Sequence, residues 1–329
     1  MQMNIIPKKL VPGDEIRIIA PSTSLKVILP AIRDLALRNL TAMGLKVSYG
    51  RNSEECDEFG SSSIEARVAD VHLAFSDPKV KGILTAMGGY NCNQLLRYLE
   101  YDLIRANPKI LCGYSDITAL DAAIHAKTGL VTYSGPHFST FGMEKGLEYT
   151  LEYFKKCLMI EESFSIHSSK EWSDDKWYRD QQQRNFIPNE GYLIINEGAA
   201  EGSLLGGNLC TLNLLQGTEF MPALAGSLLL LEDDYESKGL TFDRDLQSLI
   251  HQPEFSEVQG VVIGRFQNES AVTTEKLIRM IRTKRELNNI PVIANADFGH
   301  TTPQFTFPIG GKGRLSVKGG RAGLEILEH

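Results

Sequence analysis

The sequence predicts an α/β protein with a mostly parallel sheet in its first half and a smaller mixed α/β unit in its second. Three observations carry this. Apolar runs of strand length alternate with helical periodicity through the first 135 residues, which is the βαβ pattern of a sheet covered on both faces. The chain has 329 residues, more than a single core usually serves, so two domains are expected. Apolar residues make up 42% and charged residues 23%, the profile of a folded chain rather than a disordered one.

Residues 15–20 form the first strand-like run, and Pro21-Ser22 ends it. Residues 25–43 carry Ile28, Leu29, Ile32, Leu35, Leu37 and Leu40 at helical spacing, and Gly44 supplies a stop signal. The alternation continues with a strand at 45–49, a helix at 64–75, a strand at 82–87, a helix at 94–99, a strand at 109–112, a helix at 117–126 and a strand at 130–133. Residues 161–190 break the pattern: they are polar, lack a clean period and hold both tryptophans. Composition there fits either a linker or a binding loop that offers flat aromatic faces. Beyond Gly191 the runs at 192–196, 228–232, 258–263 and 291–294 read as strands, and 274–287 as an amphipathic helix. Gly202, Gly206, Gly207 and Gly217 crowd one segment and predict bends or close backbone approaches. The predicted division is therefore 1–160, a loop-bearing connection at 161–190, and 191–329.

The formal charge of −7 leaves no basic surplus to neutralise phosphates and argues against a nucleic-acid partner. No apolar stretch approaches the length of a membrane span. Residues 1–13 lack the apolar centre of a secretion signal, so a cytoplasmic protein is expected. Cys56, Cys92, Cys112, Cys157 and Cys210 are scattered without metal-ligand spacing and predict free thiols and no metal. The closing Leu327-Glu328-His329 reads as a purification-tag remnant.

Active sites of parallel sheets lie beyond the carboxyl ends of the strands. At one such end stands Gly113-Tyr114-Ser115-Asp116-Ile117-Thr118. A serine on a sharp strand-to-helix turn is exposed above the sheet, and the amide of Asp116 then points at whatever the serine attacks, as in a nucleophile elbow. The same placement suits a plain helix cap. A second such turn, Gly88-Gly89-Tyr90-Asn91, lets backbone N–H groups approach a ligand, and Gly89 is the candidate second oxyanion donor. No dinucleotide-binding or P-loop glycine pattern occurs. A nucleophilic serine needs a base and an orienting acid. His300, in an irregular stretch after a strand, is the first candidate base and His137 the reserve; His72 and His125 fall inside helices. The acid is sought in Glu232-Asp233-Asp234 at a strand end, where the sequence leaves open which carboxylate points inward.

Taken together, the order Pro12-Gly13-Asp14, Ala20-Pro21-Ser22, Met87-Gly88-Gly89-Tyr90-Asn91, Gly113 to Thr118, Gly135-Pro136, Gly206-Gly207-Asn208-Leu209, Leu231-Glu232-Asp233 and Phe298-Gly299-His300 resembles the LD-carboxypeptidases, serine peptidase family S66. The resemblance implies a flavodoxin-like first domain, a smaller swivelling β/α second domain, a homodimer and no cofactor. It maps the nucleophile to Ser115, the base to His300 and the acid to Glu232. One branch of the family trims murein tetrapeptides in cell-wall recycling. The other confers microcin immunity by cleaving the bond between an aminoacyl group and a modified adenylate. The segment Trp172 to Asp180 is similar to the loop of the second branch, which implies that a tryptophan, Trp177 first and Trp172 second, stacks on a nucleobase. Such stacking contributes on the order of 1 to 3 kcal/mol. Asn208 is the candidate contact for the polar end of the substrate. The implied partner is thus a small peptide or aminoacyl-nucleotide. A non-catalytic binding protein on the same fold is the distant alternative.

Overall fold

A computed structural model of the chain describes residues 4–329. In the first half, β1 (Glu15–Ile19), β2 (Lys46–Tyr49), β3 (Val80–Thr85), β4 (Ile110–Gly113) and β5 (Thr132–Ser134) form a parallel sheet. Their spatial order is β2-β1-β3-β4-β5, the flavodoxin-like winding. Helices α1 (Pro30–Ala42), α2 (Ile64–Ser76), α3 (Tyr101–Ala106), α4 (Thr118–Thr128) and α5 (Glu148–Leu158) accompany it. The predicted continuous helix at 25–43 is split. A 3₁₀ turn at Leu25–Val27 is capped by Ser24, and α1 starts afresh with Pro30 at its first turn. Proline lacks the N–H that an interior helical position needs, so it opens a helix instead of continuing one. The helix expected at 94–99 is a 3₁₀ turn, Cys92–Tyr98, and the true α-helix follows it as α3. Helix α5 is an element beyond those the periodicity predicts, and Thr150, Tyr153, Phe154, Cys157 and Leu158 are buried along it.

The second half builds around a larger sheet. After β6 (Phe164–Ile166), the strands β7 (Glu171–Trp172) and β8 (Ile187–Pro188) make a small ribbon at the neck of the tryptophan segment. Then come β9 (Leu193–Asn196), β10 (Gly198–Asn208), α6 (Leu209–Asn213), β11 (Ser227–Glu232), α7 (Gly239–Ile250), β12 (Gly260–Gly264), α8 (Thr274–Arg282) and β13 (Val292–Ala296). Strands β10 to β13 run parallel. The chain next places β14 (Phe307–Ile309) antiparallel to β5, at the edge of the first sheet. It closes with β15 (Lys312–Lys318) and β16 (Arg321–Glu328), which give the second sheet the order β6-β16-β15-β10-β11-β12-β13-β9. Leu327 and Glu328, expected as a tag remnant, complete β16, and His329 is buried. No helix of the described residues is long and apolar enough to cross a membrane.

The glycine-crowded segment is a strand, not a set of bends. Gly198, Gly202, Gly206 and Gly207 all lie in β10, and Gly217 alone sits in a turn. Side chains there have no room: a Cβ on Gly206 would overlap the Leu230 carbonyl oxygen of β11, and one on Gly207 would lie 3.0 Å from Thr118 Cγ2 of α4. Both glycines hold positive φ, +133° and +114°, which other residues adopt only with strain. Gly206→Ala is therefore expected to destabilise the protein by at least about 3 kcal/mol, measured by equilibrium denaturant unfolding.

Candidate active site

Strand β4 ends at Gly113, and a 3₁₀ turn at Ser115–Ile117 leads into α4. Ser115 has φ +61°, a left-handed conformation that costs a non-glycine residue of order 1 kcal/mol or more. That strain lifts its half-buried hydroxyl out of the turn, as an elbow requires. The turn is tight because its neighbours are glycines. A Cβ on Gly113 would come 2.9 Å from Ile117 Cγ2, and one on Gly88 would come 2.9 Å from Ser115 Oγ. Gly88, like Gly89 a part of the candidate turn, thus leaves the space in front of the hydroxyl open.

His300 and Glu232 come from the other sheet. His300 Nε2 lies 3.0 Å from Ser115 Oγ, and His300 Nδ1 lies 2.7 Å from Glu232 Oε2. Of the three acids at the end of β11, Glu232 is the one that meets the imidazole. Asp233 accepts from Asn208 Nδ2, and Asp234 accepts from the Glu236 N–H. Glu232 is buried and fits only because two flanking residues lack side chains. A Cβ on Gly264 would lie 2.7 Å from Glu232 Cβ, and one on Gly299 would overlap the Glu232 carboxylate. Burial disfavours the charged form of His300, yet attraction to Glu232, and less to Asp234 and Asp233, outweighs it and lifts the imidazole pKa to about 9. Burial, with the repulsion of Glu232 next, also pushes the Asp233 carboxyl up to about 7.

Around the serine, the two predicted amide donors sit on loops that are firmly tied. Gly89 has φ +157° and room for no side chain against Ser22 and Thr23. Its N–H has no partner among the described residues. Asp116 lies in the first turn of a helix, where N–H groups lack intrahelical acceptors. The buried Asp116 carboxylate accepts from the Ser22 hydroxyl and the Cys92 N–H. Arg67, also buried, donates to the Pro21 carbonyl, to Asn91 and to Gln94 Oε1, joining the loop after β1 to the turn after β3. Arg67 is not legible in the sequence, because its work is done through carbonyls distant along the chain.

The remaining candidates separate by their surroundings. His137 is buried, stacks on Tyr114 with centroids 4.2 Å apart and places Nδ1 2.8 Å from Thr85 Oγ1. Burial, aided by the charge of His300, pushes its pKa down to about 3, so it stays neutral. It makes no hydrogen bond to Ser115, unlike His300. His72 and His125 lie in α2 and α4 and bond locally, to Glu100 N and the Leu130 carbonyl. Asn208 caps α6 through the Thr211 N–H and donates to Asp233, which leaves one amide hydrogen for a ligand. Of the tryptophans, Trp172 carries the Arg265 guanidinium 4.9 Å above its ring. Trp177 is half-buried, its ring T-shaped to Tyr178 with centroids 6.0 Å apart, and no cation lies on its face. Among the described residues no group of three or more histidines, cysteines or acids could hold a metal ion.

Residues 16–135 match the family model of the LD-carboxypeptidase N-terminal domain, and residues 201–315 that of the C-terminal domain. The crystal structure of an MccF-like protein from Bacillus anthracis is 55% identical, covers 99% of this chain and 100% of its own, and superposes with a TM-score of 0.98. The microcin self-immunity protein MccF of Escherichia coli is 32% identical over 88% of this chain and 86% of its own. A structure of MccF in complex with aspartyl sulfamoyl adenosine covers 99% of this chain and 99% of its own, at 29% identity and a TM-score of 0.88. The murein tetrapeptide carboxypeptidase of Pseudomonas aeruginosa is 27% identical over 90% of this chain and 91% of its own.

The electrostatic account of His300 can be checked directly. Glu232→Gln removes the largest of the attractions that raise its pKa and leaves the burial that lowers it. The imidazole midpoint followed by NMR is expected to fall from the alkaline side to below the ordinary histidine value near 6.5.

Proposed function

The chain belongs to the LD-carboxypeptidase family of serine peptidases, and from that premise we propose that it hydrolyses the bond between an aminoacyl group and a modified adenylate. Ser115 is the nucleophile, His300 the general base and Glu232 its orienting acid. One observation carries the catalytic part: a serine held at φ +61° stands 3.0 Å from an imidazole nitrogen whose other nitrogen is 2.7 Å from a buried carboxylate.

In this reading Ser115 Oγ attacks the acyl carbon while His300 Nε2 takes its proton, and the negative charge on the carbonyl oxygen is received by the amides of Gly89 and Asp116. Glu232 fixes the Nδ1–H tautomer and stabilises the imidazolium that forms. Collapse of the intermediate breaks the acyl bond, and His300 returns the proton to the departing nitrogen or oxygen. Water then attacks the acyl-serine with His300 again as base, which frees the amino acid and restores the serine. With the imidazole pKa at about 9, His300 is neutral and able to take the Ser115 proton in a fraction that grows as the pH rises toward 9, and Glu232 then stabilises the imidazolium that the transfer creates.

The substrate class rests on the tryptophan segment. Trp177 offers a ring face that no cation occupies, whereas Arg265 already covers Trp172. A purine stacks on such a face, and MccF accommodates aspartyl sulfamoyl adenosine. Asn208, with one amide hydrogen free, would meet the polar end of the aminoacyl group.

Three measurements test this reading. Ser115→Ala is expected to cut turnover by about four orders of magnitude or more while ligand binding stays measurable by calorimetry; activity within tenfold of wild type defeats the triad. Offered separately, an aminoacyl sulfamoyl adenosine should be cleaved and a murein tetrapeptide ending in D-alanine should not, with products identified by mass spectrometry. Trp177→Ala should raise KM for the adenylate by about tenfold to a hundredfold, the loss of one stacked base. Cleavage of the tetrapeptide alone assigns the chain to cell-wall recycling instead.

A further inference from the structure

His300 stands in a short loop whose two ends are both fastened to the tryptophan segment. At one end, the buried Asp297 carboxylate accepts from the Ser169 N–H at 2.8 Å and from Asn189 Nδ2 at 3.1 Å. Ser169 and Asn189 are the two necks of that segment, on either side of both tryptophans. Asp297 also pairs with Arg265 at 3.4 Å, and Arg265 in turn donates to Asn189 Oδ1 and lies over the Trp172 ring. At the other end, Ser173 and Thr302 exchange two backbone hydrogen bonds of 2.7 Å each. The Asp297 carbonyl itself accepts from the Phe305 N–H and closes the loop that carries His300.

A buried carboxylate that serves only to fill space is expensive, since an apolar residue would do as well without the desolvation cost. Here the charge gathers two chain segments and one guanidinium about a point three residues from the imidazole. We propose that Asp297 is a positioning residue for His300, through which the docking of the tryptophan segment and the placement of the general base are set together. The segment is then not an independent lid. Its necks are part of the base on which His300 is mounted, and a ligand held by Trp177 acts on the same knot. The inference rests on the triad reading above.

Reactivity of Ser115 toward a small fluorophosphonate reports the Ser115–His300 geometry without any contact to the tryptophan face. Asp297→Asn is expected to lower the labelling rate about a hundredfold, the cost of misplacing a catalytic group by an ångström. It should lower kcat for an aminoacyl sulfamoyl adenosine in parallel, with KM within about threefold. Asn189→Ala, which leaves the Asp297–Arg265 pair in place, should show the same pattern at a smaller size, and it decides the matter where Asp297→Asn does not fold. Labelling of Asp297→Asn or Asn189→Ala at the wild-type rate, with only KM raised, overturns the proposal. Labelling of His300→Ala at the wild-type rate overturns the triad and the proposal with it. Because the labelling arm uses no adenylate, an error in the substrate class leaves the outcome readable.

Discussion

The nucleophile and its base belong to different sheets, so the candidate site exists only while those sheets keep a fixed offset. Two contacts hold it. The Thr118 hydroxyl, at the start of the helix that follows Ser115, accepts the Asn208 N–H at 3.0 Å at the very end of β10. Gly207 permits that approach by having no side chain to meet Thr118. Beyond His300 the chain crosses over, and β14 hydrogen-bonds to β5 in the first sheet. His300 is therefore tethered on one side to β13 in the second sheet and on the other to β14 in the first. Misplacement by an ångström would weaken every step that depends on a 3.0 Å proton path.

Within that frame the electrostatics follow from space. Glu232 is buried and would suffer from desolvation if it were alone. The glycines at 264 and 299 let its carboxylate reach the imidazole, and the contact offsets part of that cost. The same crowding places Asp233 and Asp234 near enough to add to the attraction on His300. His137, only a stacked tyrosine away, experiences the opposite environment and remains neutral. Two histidines in one neighbourhood thus take different roles because only one of them faces a carboxylate.

Much of this was legible in the sequence, and what was missed has physical causes. Strand ends, the Gly-Tyr-Ser-Asp turn and the Phe-Gly-His element are local patterns, and local patterns survive in a linear reading. The order of Ser115, Glu232 and His300 could be read from them, though the choice among Glu232, Asp233 and Asp234 depended on which one lay beside Gly264 and Gly299. Strand β10 was hidden because its glycines, which suit close contact with β11 and α4, score poorly as strand formers. Helix α1 was drawn too long because apolar spacing continued across Pro30. Arg67 and Asp297 were invisible because they act on partners far away in the chain: Arg67 on Pro21 and Gln94, Asp297 on Ser169 and Asn189.

The end of β13 shows how such distant partners shape the site. Between β12 and β13 the register shifts, with Val262 opposite Ile293 but Gly264 opposite Ala296, so β13 carries one extra residue. Asn295 in that bulge holds φ +58°, and a bulge bends its strand and turns the following residues to a new direction. The Asn295 carbonyl, freed from regular pairing, accepts instead from Arg265, the same guanidinium that meets Asp297 and covers Trp172. Arg265 thus stabilises the irregular strand that aims Asp297 and His300, and its occupation of Trp172 is a consequence of that duty. The division between the two tryptophans follows from the same cause: one packs on the cation that holds the bulge, and the other carries no cation and packs in part against the core.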